Sequence, residues 1–278
     1  MKAIQATPIF YFFLGLLLTV SSRAQEPIAD SDRSSVGTGQ ICKYNQISSM
    51  NVQFCQCDQL KRPECRHCDL NNCKTKSHTH SGLTYCGLGC IDDNSECDAC
   101  YLWFQKLCLC LQHGCPTRKA SSGNFDWVLM DDNLITATQL IPGIRELYVE
   151  DPWTWGQQLW KPGKGALAIN SVRTRSQEQI HMHICRAHDE TQKFLGQLDF
   201  TQYLKAMTEV TEKKWMCQAG ETGATSMDGI VAKVQGQLAN DRWCPNFIGA
   251  AMIADSKGRI WACVTTEESE TTEFSFCY

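Results

Sequence analysis

Eighteen cysteines in a chain of 278 residues constrain the fold more than any other feature of this sequence. So many thiols are a liability in a reducing compartment, whereas in an exported protein they form disulfides. Thirteen lie from Cys42 to Cys115, and five lie beyond: Cys185, Cys217, Cys244, Cys263 and Cys277. Both numbers are odd. If every thiol pairs within the chain, at least one disulfide therefore joins the two regions.

The N-terminus has the order of features found in a secretory signal. Lys2 is followed by the apolar run from Ile9 to Val20 and then by a small-residue site ending at Ala24. This order predicts a signal peptide over residues 1–24, cleaved near Ala24, and therefore a secreted protein. The run is short for a bilayer span, and an uncleaved anchor is the alternative. Residues 25–41 are polar and lack apolar periodicity, which predicts a flexible leader.

Residues 42–115 form a cysteine-rich segment with few long apolar runs. Such a segment buries little core, so disulfides have to hold it together, and its partner is not identified by the sequence. Residues 100–110 are the exception, because their apolar positions suit a short buried helix. The spacings Cys65-x-x-Cys68 and Cys97-x-x-Cys100 also occur in zinc sites, but after a signal peptide disulfides are favoured. A polar linker is predicted at residues 116–124.

From Phe125 onward the composition is that of an ordinary globular domain. Short apolar runs predict strands at residues 128–130, 134–140, 165–169 and 179–185, and a hairpin over residues 248–265. Helices are predicted at residues 153–160 and 191–210. This mixture indicates an α+β domain over residues 125–278, with a largely antiparallel sheet and flanking helices, preceded by a disulfide-rich module.

Two histidines stand one residue apart in the predicted strand from Gln179 to Cys185. Alternate side chains of a strand share a face, so His181 and His183 point one way while Ile180 and Met182 point the other. The pair is compatible with a packed strand, with a metal site completed by Cys185 or His188, or with a reactive centre.

The loop before this strand favours phosphate chemistry. Guanidinium groups and neutral donors are the groups that hold phosphate, and a neutral imidazole beside bound phosphate can attack phosphorus. The candidate phosphate-binding residues are Asn170, Ser171, Arg173, Arg175, Ser176, Gln177 and Gln179.

Three segments together resemble the bacterial CDP-diacylglycerol pyrophosphatases, members of the histidine-triad superfamily: Ala166-Leu-Ala-Ile-Asn-Ser171, Arg175-Ser176-Gln177 and Gln179-Ile-His-Met-His183. Weaker matches lie in the same order upstream and downstream, and the resemblance covers roughly Cys100 to Tyr278. One departure is that Cys185 follows Ile184 directly, whereas the family often has a residue between them.

The resemblance implies a histidine-triad-like fold and a division of roles. His181 would be the nucleophile, His183 would hydrogen-bond the phosphate or the leaving oxygen, and Gln179 would replace the first histidine. Asn170, Arg175, Ser176 and Gln177 would stabilise negative charge in the transition state. No metal or cofactor is required. The implied substrate is CDP-diacylglycerol or a small soluble nucleotide conjugate.

Composition and context limit the other classes of function. A net charge of −4 and a pI near 6.0 argue against a nucleic-acid binder that relies on a basic surface. Trp153, Trp155 and Trp160 either pack in the core, which is the favoured interpretation, or contact a membrane surface that holds a lipid substrate. The competing interpretation is a non-enzymatic, disulfide-rich matrix or binding protein that retains the fold.

Overall fold

The computed structural model describes Cys57 and residues 77–80, 83–87, 101–139, 141, 143–161, 163–172, 174, 179–267 and 270–278, of which 77–80, 83–87 and 101–105 by backbone alone. The predicted signal peptide, the leader and most of the cysteine-rich segment lie outside the described residues. Within that segment, strands β1 (Ser77–His80) and β2 (Leu83–Gly87) pair as an antiparallel hairpin. Helix α1 (Tyr101–Gln112) follows and confirms the helix predicted there.

The described part of the C-terminal region is built on a nine-stranded sheet in which all neighbouring strands are antiparallel. The spatial order is β3-β4-β5-β7-β6-β10-β11-β9-β8. The strands are β3 (Thr117–Lys119), β4 (Asp126–Met130), β5 (Leu134–Ala137), β6 (Gly165–Ile169), β7 (His181–Arg186), β8 (Thr208–Val210), β9 (Trp215–Ala219), β10 (Gly249–Ala254) and β11 (Ile260–Thr265). The predicted α+β fold with a largely antiparallel sheet is confirmed.

Helices cover both faces of this sheet. They are α2 (Asp151–Leu159), α3 (Asp189–Gln197), α4 (Ile230–Leu238) and α5 (Thr272–Phe276). Leu167 and Met252 pack with residues of α2 and α4 on one face. Ala168 and Ala251 pack with residues of α3 and α5 on the other. This alternation along β6 and β10 is the period of two expected of strands buried on both sides.

The tryptophans near α2 belong to the first of these cores. Trp153 is fully buried, and Trp155 and Trp160 are 4% and 5% exposed. Pro152 lies in the first turn of the helix, where its missing N–H costs no hydrogen bond. The core interpretation of these side chains is therefore confirmed, and they do not form an exposed aromatic surface. No helix among the described residues has the length and apolarity needed to cross a membrane.

Two segments differ from the sequence-based prediction. Residues 116–124, predicted as a linker, contain β3, which pairs with β4 through Arg118 and Trp127. The side chains of β3 are all exposed, so the strand has no apolar signal. The helix predicted at residues 191–210 ends at Gln197. Asp199 then accepts from the backbone N–H of Thr201 and starts a separate 3-10 turn, and β8 follows.

Disulfides link the chain as its cysteine content predicts. Among the described residues the bridges are Cys57–Cys108, Cys110–Cys115, Cys185–Cys277 and Cys217–Cys263. Cys244 is also disulfide-bonded. The other four cysteines beyond Cys115 pair with one another, so Cys244 is bonded to none of them. The bridge predicted between the two regions lies outside the described residues.

Candidate functional site

The two histidines of β7 lie on one face of the sheet. His181 is opposite Thr136 of β5, and His183 is opposite Ala168 of β6. Their ring centroids are 5.2 Å apart with the planes edge to face. Ile180 and Met182 pack into the core on the opposite face, as the alternation predicted. Both rings are thus held by a strand that is hydrogen-bonded on either side, which fixes their positions relative to each other.

The ring of His181 has a defined tautomer. Its Nδ1 lies 2.8 Å from the backbone carbonyl oxygen of Gln179. A carbonyl oxygen only accepts hydrogen bonds, so Nδ1 carries the hydrogen and donates it. In the neutral ring the lone pair is then on Nε2. Because His181 is only 8% exposed, this tautomer is held in an environment from which bulk water is largely excluded.

His183 has an acidic neighbour. Its Nδ1 lies 3.3 Å from Oε1 of Glu273 in helix α5. Burial lowers the pKa of His183 to about 4. The ring is therefore neutral at physiological pH. Its Nε2 is buried and has no hydrogen-bond partner among the described residues.

Asn170 and Glu273 bind each other through two hydrogen bonds. The backbone N–H of Glu273 donates to Oδ1 of Asn170 at 2.9 Å, and Nδ2 of Asn170 donates to Oε2 of Glu273 at 3.3 Å. Asn170 follows β6 directly, so this pair joins the loop after β6 to the C-terminal helix. The structure thus connects Asn170 to His183 through the carboxylate of Glu273, which contacts both side chains.

Ser171 and Gln179 are both fully buried. The Ser171 hydroxyl contacts the Thr174 hydroxyl at 2.9 Å and accepts from its N–H at 3.2 Å. The Gln179 amide donates to the carbonyls of Ala137 and Gln139 and accepts from the N–H of Ile141. These three bonds to backbone groups favour a structural role for Gln179 over the phosphate contact predicted for it. Arg173, Arg175, Ser176 and Gln177 lie outside the described residues, and their phosphate contacts stay a prediction.

Glu273 was missed by the sequence reasoning. It is 103 residues from Asn170 along the chain, and no local motif marks it. The disulfide between Cys185 and Cys277 ties the end of the chain to β7, two residues beyond His183. A disulfide between Cys277 and Cys185 is therefore the constraint that brings the segment around Glu273 to the site.

Neither Cys185 nor His188, the two residues considered as a third metal ligand, is placed to complete a metal site with His181 and His183. Cys185 is in a disulfide and has no thiolate to offer. His188 is the residue before helix α3, with its ring against Tyr278. In the part of the chain that the structure describes, no three His, Cys, Asp or Glu side chains form a group able to hold a metal ion.

No family model matches this chain, and no curated protein matches it in sequence.

Proposed function

We propose that this protein is a secreted phosphoanhydride hydrolase that cleaves a nucleotide-linked substrate through a covalent intermediate on His181. The observation that carries the proposal is the 2.8 Å hydrogen bond from Nδ1 of His181 to the carbonyl oxygen of Gln179. It directs the lone pair to Nε2 and holds the ring on a rigid strand, which are the properties that a histidine nucleophile needs. The histidine-triad-like fold belongs to the same proposal.

The reaction has two steps. Nε2 of His181 attacks one phosphorus of the anhydride, an N–P bond forms, and the bridging P–O bond breaks with its electron pair staying on the departing phosphate. A water molecule then attacks the phosphorus of the phosphohistidine. The new O–P bond forms, the N–P bond breaks, its electron pair returns to Nε2, and a nearby base takes the proton of the water.

The second requirement of this chemistry is a set of donors that stabilise the negative charge on the phosphate. The loop between β6 and β7 has donors of the right kind, and the residues assigned to the phosphate are Asn170, Ser171, Arg173, Arg175, Ser176 and Gln177. Asn170 lies at the start of the loop, and its Nδ2, which donates one hydrogen to Glu273, has a second hydrogen for a phosphate oxygen. Gln179 is left out, since its amide is already bound to the backbone.

Substrate class and compartment follow from separate features. The resemblance in the histidine segment favours CDP-diacylglycerol or a soluble nucleotide conjugate. The disulfides support an oxidising, extracellular environment for the folded protein. A lipid substrate would bring the site to a membrane surface, whereas a soluble conjugate would not.

The test is hydrolysis by the purified, oxidised protein of labelled CDP-diacylglycerol in mixed micelles and of a panel of dinucleotides. The wild type is compared with His181→Ala and with His113→Ala, a control that removes an exposed histidine. We expect turnover by the wild type and His113→Ala, and a loss of at least about 1000-fold in His181→Ala. A folded wild type that hydrolyses none of these substrates would contradict the proposal and favour the non-enzymatic binding protein.

A further inference from the structure

The carboxylate of Glu273 contacts two side chains of the candidate site at once. Oε1 lies 3.3 Å from Nδ1 of His183, and Oε2 lies 3.3 Å from Nδ2 of Asn170. Helix α5 holds it there. This helix is bonded through Cys277 to β7, and Thr272 within it is fully buried, with its hydroxyl 2.8 Å from that of Thr265 in β11.

The orientation of Asn170 is fixed independently of the histidine. Its Oδ1 accepts from the backbone N–H of Glu273 at 2.9 Å, so the NH₂ group is the end that faces the carboxylate. Two donors, Nδ1–H of His183 and Nδ2 of Asn170, therefore converge on the side chain of residue 273. Only a side chain with two acceptor oxygens satisfies both.

The tautomer of His183 follows from this arrangement. A carboxylate oxygen 3.3 Å from Nδ1 can only accept, so it favours a hydrogen on Nδ1 and puts the lone pair of the neutral ring on Nε2. That atom is buried, has no partner among the described residues, and belongs to a ring 5.2 Å from the ring of His181. It is an unused acceptor on the face of the sheet where the phosphohistidine would form.

We propose that Glu273 is a positioning residue, whose carboxylate holds His183 as the base that activates water against the phosphohistidine of His181. This inference rests on the proposed function. In the hydrolytic step Nε2 of His183 takes a proton from water, the water oxygen bonds to phosphorus, and the N–P bond to His181 breaks. The carboxylate of Glu273 then stabilises the imidazolium of His183 until its proton leaves with solvent.

Few other charges act on this ring from the described elements around it. On its own strand the titratable neighbour is His181, and from α5 it is Glu273. Thr136 of β5, Ala168 of β6 and Ala251 of β10, which share this face of the sheet, carry no charge. The protonation of His183 is therefore expected to follow the side chain at position 273.

The experiment separates the two chemical steps in a single turnover by following the phosphohistidine with time. Glu273→Gln has one acceptor oxygen for two donors. If its NH₂ faces His183, Nδ1 has to accept and the Nδ1–H tautomer is lost; if its oxygen faces His183, the neutral amide no longer stabilises the imidazolium. We expect the phosphohistidine to form within about 3-fold of the wild-type rate, and its hydrolysis to slow about 100-fold, so that it accumulates. Glu267→Gln, which removes a carboxylate that pairs with Lys214 at the surface, serves as the matched control and should not change either rate.

A second variant excludes a merely structural role. In Asn170→Asp with Glu273→Gln, the new carboxylate accepts from the glutamine NH₂ and leaves the glutamine oxygen facing Nδ1–H of His183. We expect the ratio of the hydrolysis rate to the rate of phosphohistidine formation to be higher in this double variant than in Glu273→Gln, because a loss of phosphate binding at position 170 slows both steps. The low-pH limb of hydrolysis in Glu273→Gln should move to lower pH because the carboxylate no longer favours the imidazolium. Wild-type hydrolysis in Glu273→Gln, or equal slowing of both steps, would overturn the assignment of Glu273. A wild type that forms no phosphohistidine would instead overturn the proposed function itself.

Discussion

Nδ1 of His181 donates a hydrogen bond to the backbone carbonyl of Gln179, two residues earlier in the chain. The side chain of Gln179 in turn makes three hydrogen bonds with the backbone of residues 137–141. The carbonyl that orients His181 is therefore held by a residue whose own amide is fixed to a neighbouring segment. This connection relates the stability of the fold to the geometry of the proposed nucleophile.

Replacing Gln179 should cost stability. In Gln179→Ala one buried and one part-buried carbonyl group and one N–H lose their partner, and we expect the free energy of unfolding to fall by about 2 to 4 kcal/mol. Denaturant unfolding with the disulfides intact measures it. Gln202→Ala is the control, since Gln202 is exposed, and it should cost less than about 0.5 kcal/mol. Equal effects of the two substitutions would contradict the structural role of Gln179.

The buried ring of His183 predicts a dependence of stability on pH. Its pKa is lowered from 6.5 to about 4 by burial, so between these values the unfolded chain binds a proton that the folded chain does not. The contribution of His183 to the free energy of unfolding should therefore be constant above pH 6.5. It should fall by about 1 to 3 kcal/mol as the pH drops towards 4, and level off below that pH. In His183→Gln this part of the pH dependence should disappear from unfolding curves measured across the same range. An unchanged pH dependence in that variant would assign the effect to other groups.

The disulfide between Cys185 and Cys277 is expected to support both stability and activity. Replacing both cysteines by serine opens a bridge that spans 92 residues, which should lower the free energy of unfolding by about 2 to 4 kcal/mol. It also removes the covalent link between β7 and the helix that positions Glu273, which leaves that helix held by hydrogen bonds and packing alone. Replacing Cys217 and Cys263 opens a bridge between β9 and β11 and should cost a similar amount of stability.

The two double variants should differ in activity at a temperature where both are folded. We expect hydrolysis to fall about 10-fold or more only when the bridge to Cys277 is lost, because only that bridge ties Glu273 to β7. A matching loss in the Cys217 and Cys263 variant would indicate a general effect of stability on turnover.

Much of the sheet was predictable because its strands have local signals. The hairpin of β10 and β11 combines two apolar runs with a turn at residues 255–258, and the turn between β4 and β5 has Asp131 and Asp132 in the left-handed region. The helix predicted at residues 191–210 was wrong beyond Gln197. There Gly196 lies so close to Ser256 that a Cβ would contact its hydroxyl, so this end of the helix is set by tertiary packing.

The candidate site was predictable only in part. Alternation placed His181 and His183 on one face because side-chain direction in a strand is a local property. The roles of Gln179 and Glu273 depend on partners about 40 and 90 residues away, and side chains at such distances leave no pattern in the sequence. The cysteine numbers predicted a disulfide between the two regions, but the pairing of Cys277 with Cys185 could not be read from the sequence.

The most direct test of the central claim is a search for phosphohistidine at position 181. The wild type is mixed with substrate, quenched at alkaline pH, where phosphohistidine survives, and its peptides are sequenced by mass spectrometry. A phosphoryl or nucleotidyl group on His181 that is absent from His181→Ala and turns over with the substrate is the predicted result. Substrate turnover with no modification of His181 at any time, or with the same modification on another residue, would contradict the account.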